Sequence, residues 1–442
     1  MCPGFFASVM GACALASARV QDGAVTQSHT ERLYQPQVSS EVFFSAARDA
    51  LSKEMTANEG FEYMRACTLL SITSIQWGHI GSMQQYMGLF FTLAAMQRFY
   101  DEKFWTLDLT DVQIELRRRL YWCTYTLDVY GATIWDCFLR SQEVHANVKY
   151  PGEIYDTNSF LQNPESNWLV GWNFATDLYR ILEHSLSKAR AKRFRHEDRR
   201  KVDHLVFQDD FSDSNVMQTI LGMYYEMPAI FKETPPMTGD MRRDIYAYQA
   251  ANIQATLQLL RIIIFSSAGG TGVDQKCDVV TEVLSVFHTI PREYLRAIST
   301  PLIYHLGHIG QVLASVIDPT LTEHHYQRVR TCLLSMADLL SGLEEGLSRA
   351  AGASTALRGS VEKLDQKMRG KRRLPQPVPT RGMSPAPMTT MQMPQPQGIY
   401  DIGQNNMPYN THADFQLPPE LFGDWSWPPD LGPQIPDMQN FQ

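Results

Sequence analysis

The stretch "ELRRRLYWCTYTLDVY", residues 115–130, places three consecutive arginines beside a run of aromatic residues. Apolar residues recur in it at intervals of three and four, which predicts a helix with one apolar face. The residues on this face are Leu116, Leu120, Cys123 and Leu127. A helix that is apolar over most of its surface and still carries arginines is usually central, with its charges paired to neighbouring helices. We therefore interpret the stretch as part of a helical scaffold rather than as an anion site or a catalytic centre.

The charged residues of this helix have predictable partners. Arg118 shares a face with Trp122, so its guanidinium can lie against that ring. Glu115 can reach Arg118 at i+3 or Arg119 at i+4. Asp128 needs a cation from another turn or another element.

Most of the chain before residue 350 repeats the helical period, and strand signals are weak throughout. The predicted helices cover 43–56, 61–76, 80–100, 112–138, 168–187, 214–231, 241–265, 275–290, 298–316 and 322–349. In the last of these, six apolar residues form one continuous seam: Val329, Leu333, Met336, Leu340, Leu343 and Leu347. The seam is typical of a core-facing helix or of a short coiled-coil dimer. The sequence therefore predicts an all-α multi-helix bundle or array.

The composition excludes some classes of protein. The chain has 442 residues, of which 44% are hydrophobic, and a net charge of −8, which argues against a general polyanion binder. Its seven cysteines are dispersed and form no C-x2-C pair, so we expect reduced thiols in the cytosol or nucleus. The apolar start, residues 1–20, lacks a positively charged beginning and is interrupted by Pro3 and Gly11. A buried first helix is the preferred interpretation, a signal peptide the alternative, and no membrane span is expected.

The composition changes at about residue 374. Fourteen of the 24 prolines lie in 374–442, among Met, Gln and Asn, which predicts a disordered Pro/Gln/Met-rich tail. Within it, 410–442 combines acidic residues with exposed apolar ones and contains no Lys or Arg. The residues predicted to act as an activation segment are Phe415, Leu421, Phe422, Trp425 and Trp427. Acidic repulsion keeps such side chains solvated and available to an apolar groove of a partner.

Two basic clusters are candidates for transport or nucleic-acid contact. Residues 188–201 hold eight Lys or Arg and are interpreted as a solvated linker, a nucleic-acid contact or an import signal. The run 367–373 holds five basic residues at the junction with the tail and fits either a nuclear import signal or a plain linker. Its basic residues are Lys367, Arg369, Lys371, Arg372 and Arg373.

Candidate catalytic motifs are weak. The glycine-rich run 268–272 lacks the Lys-Ser/Thr of a phosphate loop, and is interpreted as a connector between helices. His305 and His308 share a helix face, but further metal ligands are not evident, so we expect structural histidines. No G-x-S-x-G motif occurs. We expect no catalytic residue, no metal ligand and no enzyme activity.

The stretch "ELRRRLYWCTYTLDVYGATIWD" (115–136), followed by "VKYPGE" (148–153), resembles the E-x-R-R-R-x-[WY]-W…D pattern of the fungal-specific transcription factor domain. This domain is the middle homology region of the fungal Zn2Cys6 zinc-cluster regulators. The preceding 66–102 resembles its pair of helices before the motif, and 3–24 its first helix; 251–267 and 299–317 are similar to later helices. The resemblance covers roughly 3–350 and makes Glu115, Arg117, Arg118, Arg119, Trp122 and Asp128 the structural family motif.

The chain departs from the family in two respects. Many members carry Gly-Arg-Pro after the Asp, where this chain has Phe138, Leu139, Arg140, Ser141 and Gln142, so the resemblance implies no role for this turn. The family binds DNA through an N-terminal module with six cysteines, whose spacing Cys2 and Cys13 cannot supply. We expect either a chain naturally without a zinc cluster, and so without a cofactor of its own, or one whose gene start lies further upstream.

The resemblance implies a nuclear regulator of target genes, for example those of a metabolic or biosynthetic pathway. We expect three parts: a helical domain at 1–350, a basic linker at 351–373, and a tail at 374–442 that activates by recruiting coactivator or mediator-type proteins. DNA contact would need a missing module or a partner, and a homo- or heterodimer and a small-molecule inducer are further expected partners. The alternatives are a helical enzyme or small-molecule-binding protein with a pocket among the 115–138 aromatics, and a zinc-cluster-free corepressor that binds related regulators.

Overall fold

The computed structural model describes residues 2–23, 38–54, 56, 60–152, 167–193, 213–267, 272–315, 321–345, 347 and 352–373. The regular structure of these residues is helical, without a strand, and one isolated bridge joins Asp101 to Asn147. The helices are α1 (Pro3–Gln21), α2 (Ser40–Asp49), α3 (Phe61–Gln76), α4 (Ile80–Met96), α5 (Asp111–Ile134), α6 (Trp168–Arg193), α7 (Asp213–Glu226), α8 (Met241–Ser267), α9 (Val273–Thr289), α10 (Arg292–Ile298), α11 (Thr300–Ala314), α12 (Glu323–Glu344) and α13 (Ala353–Arg373). The all-α prediction is confirmed.

Every helix expected from periodicity is present, and local backbone features set its ends. The helix predicted over 112–138 ends at Ile134, two residues before Asp136, which has a φ of 51°. The helix predicted from 298 begins at Thr300, because Ser299 has a φ of 65° and separates it from α10. Positive φ values interrupt a right-handed helix, since they place Cβ against the backbone.

The first four helices pack on one another in chain order, α1 against α2 and α3, and α3 against α4. A Cβ added to Gly4 would lie 2.9 Å from the ring of Tyr63, so the small residues of α1 let it approach α3 closely. Among the described helices, α1 alone has the length and hydropathy of a membrane span. Its contacts with α2 and α3 are those expected for a buried first helix.

The second half of the fold surrounds α8, which contacts α6, α7, α9, α10 and α11. Beside it, α12 packs against α9, α11 and α13. Five residues of the predicted α12 seam are at most 7% exposed, and Leu347 packs against the same core. The seam therefore faces the core of its own chain, as the first of the two interpretations held.

Residues 353–373 form α13, where the sequence analysis placed a basic linker (351–373). Its buried face consists of Leu357, Val361, Leu364 and Met368. These residues pack on α11 and α12, where Gly310 leaves room: a Cβ there would lie 2.6 Å from Leu357. The apolar spacing of four, three and four residues was present in the sequence, but the basic residues between these positions obscured it.

Candidate functional site

α5 carries the arginine motif and begins at a reciprocal cap. The Thr110 hydroxyl accepts from Gln113 N at 3.3 Å, and Thr110 N donates to Gln113 Oε1 at 2.9 Å. Leu116, on the predicted apolar face, is 39% exposed, so that face was wrong at its N-terminal end. The helices that contact α5, namely α3, α6 and α11, cover a mainly aromatic face instead. Its buried rings are Tyr121, Trp122, Tyr125 and Tyr130.

Arg118 binds an acidic residue that precedes α5. Its Nε and Nη2 donate to the two carboxylate oxygens of Glu102, each at 2.8 Å, in a bidentate pair. Lys149 N donates to the same carboxylate at 2.8 Å. Burial raises the pKa of Glu102, but the hydrogen bonds from Arg118 and Lys149 N outweigh it and leave the pKa below its usual value. The guanidinium predicted to lie against Trp122 is therefore engaged in an ion pair.

Each of the other two arginines binds a residue of α5 and lies over an aromatic ring of another segment. Arg119 Nε donates to Glu115 at 3.1 Å, the i+4 alternative of the prediction, and lies over the Trp168 ring at 5.4 Å. Arg117 donates to the backbone oxygen of Gln113 at 3.3 Å and lies over the Phe61 ring at 5.2 Å. All three guanidinium groups thus have partners within the fold.

The motif also holds the chain segment that follows α5. Glu115, only 3% exposed, accepts from Gly152 N at 3.1 Å. Trp122 Nε1 donates to Lys149 O at 3.0 Å, and its ring lies 4.8 Å from that of Tyr150. Three residues of the motif therefore hold residues 149–152 against α5. Glu115 and Trp122 do so directly, and Arg118 does so through Glu102.

Asp128 obtains its cation from the loop after α5. Its Oδ2 accepts from Arg140 N at 2.7 Å and Ser141 N at 2.9 Å, and its Oδ1 accepts from Arg140 Nη1 at 3.2 Å. Asp128 is 2% exposed, and burial raises the pKa of its carboxyl despite these three hydrogen bonds from the loop. Arg140 also reaches Gln84 on α4. Arg140 belongs to 138–142, the residues that stand where many family members carry Gly-Arg-Pro.

A second layer of polar contacts joins α5 and its loop to α6. Tyr125 donates to Glu183 Oε2 at 3.1 Å, and Glu143 N donates to the same oxygen at 3.2 Å. Arg180 pairs with Glu143 and donates to Tyr150 at 2.9 Å. Sequence reasoning missed Glu102, Glu183 and Arg180, because no local spacing connects them to the motif.

The comparison with protein families shows what this part of the chain is similar to. Residues 3–197 match the fungal specific transcription factor domain. The match covers α1 to α6 and therefore the whole polar network around α5. No curated protein and no solved structure matches the chain.

The fungal transcription factor domain is a regulatory domain rather than a class of enzyme, and residues 3–197 of the chain are similar to it. The resemblance found from the arginine motif is confirmed over the matched residues. The match ends at 197, whereas the sequence analysis extended the resemblance to about 350. The charged groups of the motif bind one another and the loop after α5, which is the arrangement expected of a structural motif.

The two predicted structural histidines lie in the buried half of α11. His305 is 4% exposed, and burial lowers its pKa to about 3. Burial likewise lowers the pKa of His308 to about 4, while the charge of Asp136 acts in the opposite direction. Both imidazoles are therefore neutral at physiological pH. Neither belongs to the two described groups that could hold a metal, Asp274–His324–His325 and Glu143–Glu183–His184.

The first basic cluster contributes to the scaffold through Arg190 on α6. Its Nη2 donates to Ala132 O and Asp136 Oδ1, both at 2.8 Å, and to Cys137 O at 3.0 Å. Arg190 therefore caps the C-terminal end of α5, where backbone oxygens lack helical partners. The residues of this cluster beyond 193 lie outside the described residues, as do 268–271 of the glycine-rich run.

The second basic cluster lies on α13. Lys367 and Arg369 are exposed on this helix, which runs to Arg373; the side chains of Lys371, Arg372 and Arg373 are outside the described part. The predicted activation residues Phe415, Leu421, Phe422, Trp425 and Trp427 also lie outside the described residues.

A cavity of about 420 Å³ lies where α9 and α10 meet α12. Its apolar lining includes Phe287, Leu295 and Leu339, and its polar lining includes His288 and Arg292. No residue of α5 lines it, so it is separate from the aromatics that the sequence analysis considered for a ligand.

Proposed function

We propose that this chain regulates transcription in the nucleus, with the helical body as a scaffold and the segment 410–442 as its activating part. The main support for a scaffold is that the charged residues of the motif bind groups of the same domain. Arg118, Glu115 and Asp128 each bind a group of the same fold, which supports a positioning role for the motif. The acidic residues and large apolar side chains of 410–442 suit weak docking into grooves of coactivator or mediator-type proteins.

A fusion of residues 374–442 to an unrelated DNA-binding domain tests the activating role. We expect the fusion to drive a reporter gene, and the double substitution Trp425→Ala, Trp427→Ala to remove most of that activity, because both apolar anchors are lost. The matched control is Tyr400→Ala, Tyr409→Ala, which removes two aromatic residues just outside the acidic segment. Equal reporter activity for both double variants, or none for the intact fusion, would refute recruitment by this segment.

Nuclear import through 367–373 is the second part of the proposal. Exposed Lys367 and Arg369 support it, because an import receptor binds clustered positive charge through an acidic groove. We expect the triple substitution Lys371→Ala, Arg372→Ala, Arg373→Ala in the fluorescently tagged full chain to shift it to the cytoplasm. The comparison is Arg195→Ala, Arg199→Ala, Arg200→Ala in the other basic cluster; relocation by this variant alone would assign import to that cluster instead.

We also propose that the chain carries no zinc cluster and meets DNA through a partner, or through a module outside this sequence. The dispersed cysteines support this, since two zinc ions bound by six thiolates need paired cysteines. Zinc analysis of the purified chain and its binding to DNA, alone and with a zinc-cluster regulator, test the proposal. Stoichiometric zinc or specific DNA binding by the chain alone would overturn it. A restraining role on related regulators would persist after removal of 374–442, whereas activation would not.

The 420 Å³ cavity supports a small-molecule inducer as a second function of the same body. Its volume lies in the range of ligand sites, and its lining combines apolar side chains with His288, Arg292, Ser335 and Asp338. Because Asp338 pairs with Arg358 at 2.6 Å, Arg292 is the lining cation for an apolar molecule with an anionic group. A thermal-shift screen of apolar carboxylates against the full chain tests this. Stabilisation that Arg292→Gln removes would support an inducer site, whereas turnover of a hit would support an enzyme.

A further inference from the structure

Two cysteines that are 55 positions apart meet between α9 and α12. Cys277 on α9 is fully buried, and Cys332 on α12 is 8% exposed. The Cys332 sulfur lies 3.8 Å from the backbone oxygen of Cys277 and 3.7 Å from the hydroxyl oxygen of Thr281. The two side chains are also close enough to influence each other's ionisation. Because α9 and α12 pack directly on each other, the fold itself maintains this contact.

Charged residues next to the pair distinguish the two sulfur atoms. Arg328 lies one turn before Cys332 and binds Asp278 on α9 at 2.6 Å, as well as Asp274. The neighbouring Cys277 side chain lowers the pKa of Cys332 against the effect of burial, and the charge of Arg328 acts in the same direction. The pKa of Cys277 is raised. One member of the pair thus forms a thiolate readily while the other keeps its proton.

No second thiol acts on the pKa of Cys67 or Cys123, which also lie in the helical body. Burial raises the pKa of Cys67 to about 12 and that of Cys123 to about 11. Thiolates are the reactive form of cysteine, and a neighbouring cation together with a second thiol is the usual setting of a reversible redox pair. Cys67 and Cys123 therefore provide internal controls for any oxidation of Cys332.

We propose that Cys277 and Cys332 form a redox modification site, at which a hydroperoxide joins α9 to α12 through a reversible disulfide. The Cys332 thiolate attacks one oxygen of hydrogen peroxide; an S–O bond forms, the O–O bond breaks, and the leaving hydroxide takes up a proton to become water. The Cys277 thiol then loses its proton and attacks the sulfenic sulfur of Cys332. The S–S bond forms, the S–O bond breaks and a second water leaves, so that two thiols are oxidised and one peroxide is reduced.

The disulfide would join the two ends of the segment 277–332, which contains α10 and α11. It would covalently fix the packing of α9 on α12, and α12 in turn carries α13. Both cross-linked helices also line the 420 Å³ cavity, through Phe287 on α9 and Leu339 on α12. Oxidation should therefore stabilise this part of the fold without a change in its helical content.

Peptide mapping of the full chain tests the proposal. The reduced protein is treated with hydrogen peroxide, its remaining thiols are alkylated, and the digest is analysed without reductant. We expect the peptide that joins Cys277 to Cys332, lighter by two hydrogen atoms than its separate halves, to be the principal cross-link. Dithiothreitol should abolish it, and the double variant Cys67→Ser, Cys123→Ser should still form it.

Two further measurements separate a site from incidental oxidation. The melting temperature of the wild-type chain should rise on oxidation and fall again on reduction, and Cys332→Ser should show no such change. Arg328→Gln should slow formation of the cross-link several-fold, because less thiolate is present at neutral pH. Full alkylation of Cys277 and Cys332 after a peroxide treatment that oxidises Cys2 or Cys13 would overturn the proposal. So would a cross-link that forms at the same rate in Arg328→Gln.

Discussion

The contact of Asp128 with the loop after α5 can be tested by one matched pair of substitutions. Asp128 lies on α5 and Asp136 just after its C-terminal end, and each binds an arginine. Asp128 is 2% exposed, whereas the side chain of Asp136 is 70% exposed. Replacement of each by asparagine removes one negative charge and preserves size. The difference between the two variants therefore measures what burial contributes to the ion pair.

The expected magnitude follows from the individual contacts. In Asp128→Asn, the amide oxygen can still accept from Arg140 N and Ser141 N, but the amide nitrogen then faces Arg140 Nη1, so the charge-assisted bond is lost. Such a bond contributes about 1.5–3 kcal/mol. Burial penalises the Asp128 carboxylate, as its raised pKa shows, so relief of that penalty offsets part of the loss. We expect the free energy of unfolding to fall by about 2 kcal/mol.

Two comparisons complete this prediction. Asp128→Ala leaves both loop amides without an acceptor and should cost about 4 kcal/mol. Asp136→Asn should cost less than about 1 kcal/mol, because exposed pairs contribute little and asparagine tolerates a positive φ. Urea unfolding monitored by circular dichroism gives the free energy of unfolding of all three variants. The data are fitted with one common slope of this free energy against urea concentration. Equal effects of Asp128→Asn and Asp136→Asn would refute the assignment of the buried pair as a structural support.

Three further predictions concern pH, charge and packing. Because burial lowers the pKa values of His305 to about 3 and His308 to about 4, the unfolded chain binds two protons that the folded chain does not, and stability falls as the pH drops below about 6.5. The slope from this pair should approach about 3 kcal/mol per pH unit near pH 5, and His308→Gln should halve it; an unchanged slope in unfolding titrations would contradict this. Glu102→Gln should destabilise the chain by about 1–2 kcal/mol at low salt and by less at high salt, as thermal unfolding at two salt concentrations can show. Gly310→Ala should destabilise the chain by about 1–3 kcal/mol, because its Cβ would lie 2.6 Å from a leucine of α13. Gly342→Ala has open space around it and should stabilise the chain by up to about 1 kcal/mol. Effects of the same sign in both variants, measured by thermal unfolding, would show that α13 does not pack as described.

Some ion pairs around α5 could be predicted from residue spacing, and others could not. Glu115 and Arg119 are four residues apart, so their pairing follows from helical geometry alone. The partner of Arg118 is Glu102, sixteen residues away beyond the start of α5, and no periodicity connects them. Similarly, a need for a cation at Asp128 was predictable, but its supply by Arg140 depends on the path of the loop.

The sequence by itself determined the helical class, the positions of most helices and the family motif, because spacing along the chain and short-range capping govern these features. Only the tertiary structure decided which face of α5 is buried, where its charges pair and that 353–373 is a packed helix. It also decided that Cys277 meets Cys332, since two residues of different helices come together only when those helices pack. The physical reason is range: helix formation depends on neighbours within one or two turns, whereas ion pairing, burial and thiol contact depend on segments that the folded chain brings together.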